Sequence, residues 1–95
     1  MRLRWTKRAD RDLDEIAEYI GQDSAAAAAR VVLELIDQVE SLLPSHLGIG
    51  RPGRVPGTRE LVIGKLPYIV PYRVRDQQIE VLRVLHTSRR WPDRL

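Results

Sequence analysis

Ninety-five residues of which 43% are apolar and 31% charged describe a single small domain with one core, and no stretch approaches the roughly 20 apolar residues that would span a bilayer. The absence of cysteine excludes disulfides, thiolate zinc sites and thiol chemistry, and two histidines forty positions apart make a poor metal site, so neither a metal nor another cofactor is expected. Met1-Arg2-Leu3-Arg4-Trp5 runs into polar residues instead of an apolar secretory core, which makes the cytoplasm the expected address.

Charge is divided unevenly along the chain. Residues 1–48 carry six basic against nine acidic side chains, a net −3, whereas residues 49–95 carry ten against four, a net +6. Fourteen of the sixteen basic residues are arginine, whose planar fork suits phosphate or carboxylate. The asymmetry points to a polyanionic partner, either nucleic acid or an acidic protein segment.

Arg2 to Thr6 alternates polar and apolar residues, which predicts a short strand with Leu3 and Trp5 on one face. Thr6 then stands at an N-cap position, and Leu13, Ile16, Ala17 and Ile20 recur at helical spacing, predicting an amphipathic helix of about three to four turns. Asp10, Asp12, Asp14, Glu15 and Glu18 read as its solvated face. Gly21-Gln22-Asp23-Ser24 supplies a stop and a new cap. A longer helix follows from Ala25 through Val32, Leu35, Ile36, Val39, Leu42 and Leu43 until Pro44 ends it. So short a connection makes the pair an antiparallel hairpin, with Ala25 to Ala29 permitting close approach.

Residues 44–57 hold four glycines and three prolines and read as an irregular loop, with Arg51 and Arg54 as exposed cations. It lacks the Gly-Lys-Ser/Thr ending of a phosphate-binding loop. From Thr58 the period changes to two. Arg59 to Ile63, Tyr68 to Arg75 and Ile79 to His86 are predicted strands, joined by turns at 64–67 and 76–78 into an antiparallel meander. Pro71 cannot donate to a ladder, which implies a bulge or one-sided pairing in the second of these strands. The third is apolar on both faces and reads as central. Alternation puts Tyr68, Val70, Tyr72 and Val74 on an oily face for the helical hairpin. Arg73 and Arg75, with Arg83 and Arg59, are assigned to an open basic face. The predicted class is therefore α+β: a short N-terminal strand, then a helical hairpin packed on one face of a small antiparallel sheet (β-α-α-β-β-β). His86 closes the last strand, and Arg89, Arg90, Trp91 and Arg94 follow in the tail.

That element order, with Gly57-Thr58-Arg59-Glu60-Leu61-Val62, Tyr68-Ile69-Val70-Pro71-Tyr72-Arg73-Val74, and the His86-x-x-Arg89-Arg90-x-Pro92 ending, resembles the RelE/ParE superfamily of bacterial toxins over essentially the whole chain. The Tyr-x-x-x-Tyr-Arg-Val strand and the His-x-x-Arg-Arg-x-Pro ending look like the ParE branch. The resemblance implies a type II toxin, oligomeric with a cognate antitoxin whose acidic segment folds onto it and neutralises it. In the favoured ParE-like case the toxin poisons DNA gyrase, no catalytic residue is required, and Arg89, Arg90, Trp91 and Arg94 are the target-binding candidates, with Trp91 alternatively folded back as a plug. In the RelE-like alternative it is a ribosome-dependent mRNA endonuclease. His86 is then the acid or base, and Arg83, Arg73 and Arg59, with Lys65, are the cations for a phosphorane-like transition state. Ile69 stands where RelE-type enzymes carry an arginine, a departure that favours the first case. Arg83 also has a structural reading, as the partner of Glu60.

Overall fold

The computed structural model describes residues 1–95. The chain runs β1 (Arg2–Trp5), α1 (Lys7–Gly21), α2 (Ala25–Leu42), β2 (Arg51–Pro52), β3 (Arg59–Val62), β4 (Tyr68–Arg75), β5 (Gln78–Val81) and β6 (Leu85–His86). Both helices start where their caps predict. The Thr6 hydroxyl accepts from the Ala9 amide at 3.2 Å and the Ser24 hydroxyl from the Ala27 amide at 3.1 Å, satisfying amides that a helix start leaves without partners. A methyl group on Gly21 would stand 3.9 Å from the side chain of the buried Ala28, ordinary van der Waals contact, so the hairpin brings its helices together there without requiring a glycine. Neither helix is long and apolar enough to cross a membrane.

The class is α+β as predicted, but the sheet is mixed. Its strand order is β1-β5-β4-β3-β2, with β6 pairing β4 beyond the end of β5. β1 joins β5 in parallel, Leu3 opposite Ile79 and Trp5 opposite Val81. The reason is burial: Ile79 and Val81 are fully buried, and β1 lends Leu3 and Trp5 to the same face while closing the edge that β5 would leave open. β5 is an interior strand, and β4 lies at the centre. The short β2 is an element that the loop reading of residues 44–57 did not contain.

The last predicted strand is broken into β5 and β6, and Pro71 explains the break. Between the pairs Tyr72–Val81 and Ile69–Leu85, two residues of β4 (Val70, Pro71) face three of the segment joining β5 to β6 (Leu82, Arg83, Val84). This is the implied bulge. Pro71 has no amide to donate there, while its carbonyl accepts from the Leu82 amide at 2.9 Å. The β4–β5 turn takes positive φ at both Asp76 (52°) and Gln77 (58°), the conformation that two-residue hairpins require.

Register fixes the faces. Leu3, Trp5, Leu61, Val70, Tyr72, Ile79 and Val81 face the helices, where they meet Ala9, Leu13, Leu35, Val39 and Leu43 in one core. On the opposite face, Ile69, Pro71 and Glu60 are buried at the end crossed by the C-terminal tail, whose Trp91 lies under the Arg54 guanidinium at 3.8 Å. Glu60 secures that corner: its carboxylate accepts from the Arg54 amide at 2.8 Å and from Arg51 Nε at 3.2 Å.

Candidate target-binding groove

A half-open groove of about 660 Å³ runs between α1 and the chain segment from β6 into the tail. One wall is a single helical stripe, Asp12, Glu15, Ile16, Tyr19 and Gln22, at the spacing that puts side chains on one face. Tyr68, His86 and Arg89 form the other. One wall is thus acidic, the other cationic, and the two tyrosines and Ile16 make the surface between them apolar.

The floor is a buried ion pair. Arg83 donates through Nε (2.7 Å) and Nη2 (3.1 Å) to the two carboxylate oxygens of Asp12, and the Val84 amide donates to the same carboxylate at 2.9 Å. Both residues are under one-tenth exposed. This overturns two expectations: Asp12 is not part of the solvated helix face, and Arg83 points to the helices instead of the open basic face. The bulge at Pro71 is the cause, because the extra residue re-aims Arg83 towards α1. Glu60, the partner suggested for Arg83, is engaged by Arg51 and Arg54 instead.

At the rim, His86 Nδ1 accepts from the Ser88 amide at 3.1 Å and lies 2.7 Å from the Ser88 hydroxyl. An amide can only donate, so Nδ1 presents its lone pair and the neutral ring carries its proton on Nε2. The ring stands edge-on to Tyr68, centroids 5.3 Å apart at 83°. Burial pushes the Tyr68 phenol above its ordinary value, outweighing the nearby Arg89 charge that lowers it, with Tyr19 adding to the rise. Tyr68 therefore enters the groove as a neutral hydroxyl.

The four side chains assigned to a nuclease site do not converge. Arg83 is committed to Asp12. Arg73 lies on the sheet face away from the helices, its Nε 2.6 Å from Glu80, which Arg4 also engages. Arg59 was placed on that face but pairs with Tyr72 across the β3–β4 ladder, so it turns to the helix side and donates to the Gly50 carbonyl at 2.7 Å. Of the four, only His86 and Arg83 line the groove, and Arg83 does so as the floor, with its guanidinium already spent on Asp12. The tail residues divide too: Arg89 reaches the groove, Arg90 and Arg94 are exposed, and Trp91 is half-buried under the Arg54 guanidinium, outside the core cluster that a plug would join. Lys65 is exposed in the β3–β4 turn.

Glu15, Tyr19 and Ser88 line the groove although sequence reasoning did not single them out for it. For Asp12 a signal was present, since positions 9, 12, 13 and 16 form a helical stripe whose other members are apolar. No group of three or more His, Asp or Glu side chains is placed to hold a metal ion.

Residues 3–91 match the family model of the ParE toxin of the type II toxin–antitoxin system parDE. The chain belongs to the ParE toxin family. It is 48% identical to the protein Y4kP of Sinorhizobium fredii over 96% of this chain and 93% of that protein. It is 39% identical to the toxin RelE2 of Caulobacter vibrioides over 90% of this chain and 93% of that one. Among solved structures it is similar to the chromosomal ParDE toxin–antitoxin system of P. aeruginosa, with a TM-score of 0.84 and 34% identity, over 93% of this chain and 97% of the other. As a ParE-family protein it is the toxin component of a type II toxin–antitoxin system, and an antitoxin is its partner. The groove and the tail of this toxin present chemistry that the core does not consume.

Proposed function

We propose that this ParE-family toxin inhibits growth in the cytoplasm by binding and poisoning DNA gyrase, and that its cognate antitoxin neutralises it with an acidic segment that folds on the toxin and assembles an oligomer. The surface we assign to target binding is the cationic wall of the groove, His86 and Arg89, continued by Arg90, Trp91 and Arg94 in the tail. One observation carries this reading over a nuclease: of the groups that phosphoryl transfer would need together, Arg83 is held by Asp12, Arg73 by Glu80 and Arg59 by loop carbonyls, on different faces of the sheet. A binding toxin needs no such convergence.

The second reading, a ribosome-dependent mRNA endonuclease, is favoured by a smaller cluster. An imidazole, a guanidinium and a neutral phenol (His86, Arg89, Tyr68) share one groove, and the 39% identical relative is named RelE2. Pulse-labelling of DNA and protein synthesis within minutes of inducing the toxin without its antitoxin separates the two. DNA synthesis failing first is the expected result; protein synthesis failing first refutes the gyrase reading and moves His86 into an active site.

A further inference from the structure

The sheet face away from the helices carries a lattice of charge that the groove does not use. Register aligns two rows across three strands, Arg2–Gln78–Arg75 and Arg4–Glu80–Arg73, on β1, β5 and β4. Since Leu3, Trp5, Ile79, Val81 and Tyr72 point to the helices, all six of these side chains point the other way. Standard sheet spacings put the rows about 7 Å apart and the outer strands about 10 Å apart, so the backbone positions of four arginines mark the corners of a small rectangle. The only carboxylate inside it is Glu80, leaving a net charge of three.

Glu80 also organises the lattice. One of its oxygens receives Arg4 Nη2 and the other receives Arg73 Nε at 2.6 Å, so both arginines are held in place with their remaining N–H groups free. Their hydrogen bonds keep the carboxyl below the ordinary glutamate range, which leaves this tether ionised at neutral pH. Arg2 has no partner and Arg75 only a loose one, Asp76 at 3.9 Å; the Arg4 and Arg75 side chains remain 52% and 60% exposed.

We propose that this arginine face binds the phosphate backbone of duplex DNA without regard to sequence. Three features select that ligand. Arginines two residues apart on β1 and again on β4, with Arg4 and Arg73 held in place by Glu80, offer repeated guanidinium contacts to a regularly charged chain. The rows contain no aromatic residue, so the face has no platform on which single-stranded bases would stack, whereas a duplex keeps its bases stacked internally. They contain no apolar residue either, so an acidic amphipathic peptide finds nothing there to bury. The acids of α1 lie on the other side of the molecule, which orients the arginine face towards a polyanion.

The inference stands apart from the gyrase reading, because it is tested on the isolated full-length chain with fluorescence anisotropy of a labelled 20-base-pair duplex of arbitrary sequence. Neutralising about three phosphates predicts a slope of about −2.7 in log K against log[KCl], a roughly 40-fold loss of affinity between 50 and 200 mM. Arg2→Ala with Arg75→Ala leaves the Glu80 tether intact and should reduce the slope to about −1 with an unchanged melting curve. Arg8→Ala with Arg30→Ala, exposed cations on the two helices, should leave the slope as it was. A slope near zero, or one unchanged in the Arg2/Arg75 variant, overturns the proposal, as does tighter binding to a single-stranded RNA of equal length. Loss of antitoxin binding in that variant with DNA binding retained overturns it in favour of an acidic protein partner.

Discussion

Replacing Asp12 with alanine removes the carboxylate that holds both Arg83 and the Val84 amide. Because Arg83 is 8% exposed, its charge cannot turn to water in compensation. Breaking a buried pair from one side costs about 3–5 kcal/mol. A domain of this size is stable by about 5–15 kcal/mol, so Asp12→Ala should consume a large part of the total and lower Tm by more than about 10 °C. Asp12→Asn retains an acceptor for Val84 and should cost less. The decisive variant is the double one, Asp12→Ala with Arg83→Met. Removing both charges eliminates the uncompensated guanidinium, and similar replacements elsewhere are often neutral or stabilising, so the double variant should regain most of what Asp12→Ala loses. Urea unfolding of the four proteins, with the slope m compared throughout, measures the cycle. A single-variant cost under about 1 kcal/mol, or a double variant no more stable than Asp12→Ala, would refute the claim that burial of the unpaired charge dominates.

Tyr72→Phe should cost about 1–3 kcal/mol in the same assay, since the hydroxyl donates to the Leu47 carbonyl at 2.8 Å and accepts from the buried Gly50 amide at 2.9 Å. Gly50→Ala should be worse: its methyl would lie 2.7 Å from the Tyr72 ring and 3.0 Å from the Glu60 carbonyl, so melting well below Tyr72→Phe is expected. For Glu80, hydrogen bonds from Arg73 and Arg4 lower the carboxyl pKa, so its contribution is present above the unfolded value of about 4.3 and is lost as pH falls through the depressed folded value. Unfolding followed from about pH 5 downward should therefore decline more steeply for the wild type than for Glu80→Gln. Arg89→Ala with Arg90→Ala should abolish growth inhibition on induction while antitoxin co-purification and the melting curve persist; undiminished toxicity removes them from the target surface. His86→Ala should leave most toxicity in place, because the ~10²–10⁴-fold loss that follows removal of a general acid or base applies only to a nuclease.

The elements were legible because local signals and burial agree in them. Thr6 and Ser24 cap, Gly21 and Pro44 punctuate, and the change of period at Thr58 marks the sheet. What stayed hidden depends on tertiary choices. Nothing in Arg2 to Trp5 says whether that strand runs parallel or antiparallel to its neighbour, and its partner is more than seventy residues away. Pro71 announced a bulge but not its sense. The one extra residue it forces opposite β4 carries Arg83 to the helix side, and alternation alone predicts the wrong face beyond such a point. Arg59 was misassigned because a face cannot be transferred between strands without their register.

The same bulge links the fold to the groove. Pro71 forces residues 82–84 out of the ladder, the displaced Arg83 and Val84 capture Asp12, and that pair ties α1 to the end of the sheet where β6 begins. β6 is only two residues long, yet its His86 pairs with Tyr68, and the Thr87 amide that follows donates to the Pro67 carbonyl at 2.8 Å. The groove's two walls are therefore carried by elements that meet through one buried ion pair and a few backbone bonds. It follows that conservative exchange of Asp12 for Glu, which keeps the charge but adds a methylene in a closed space, should perturb the groove more than the core. Hydrogen exchange should then accelerate at the Val84, Thr87 and Ser88 amides while those of β3 and the central residues of β4 stay protected. Uniform acceleration across the sheet would show that the pair stabilises the domain as a whole and does not act chiefly on the groove.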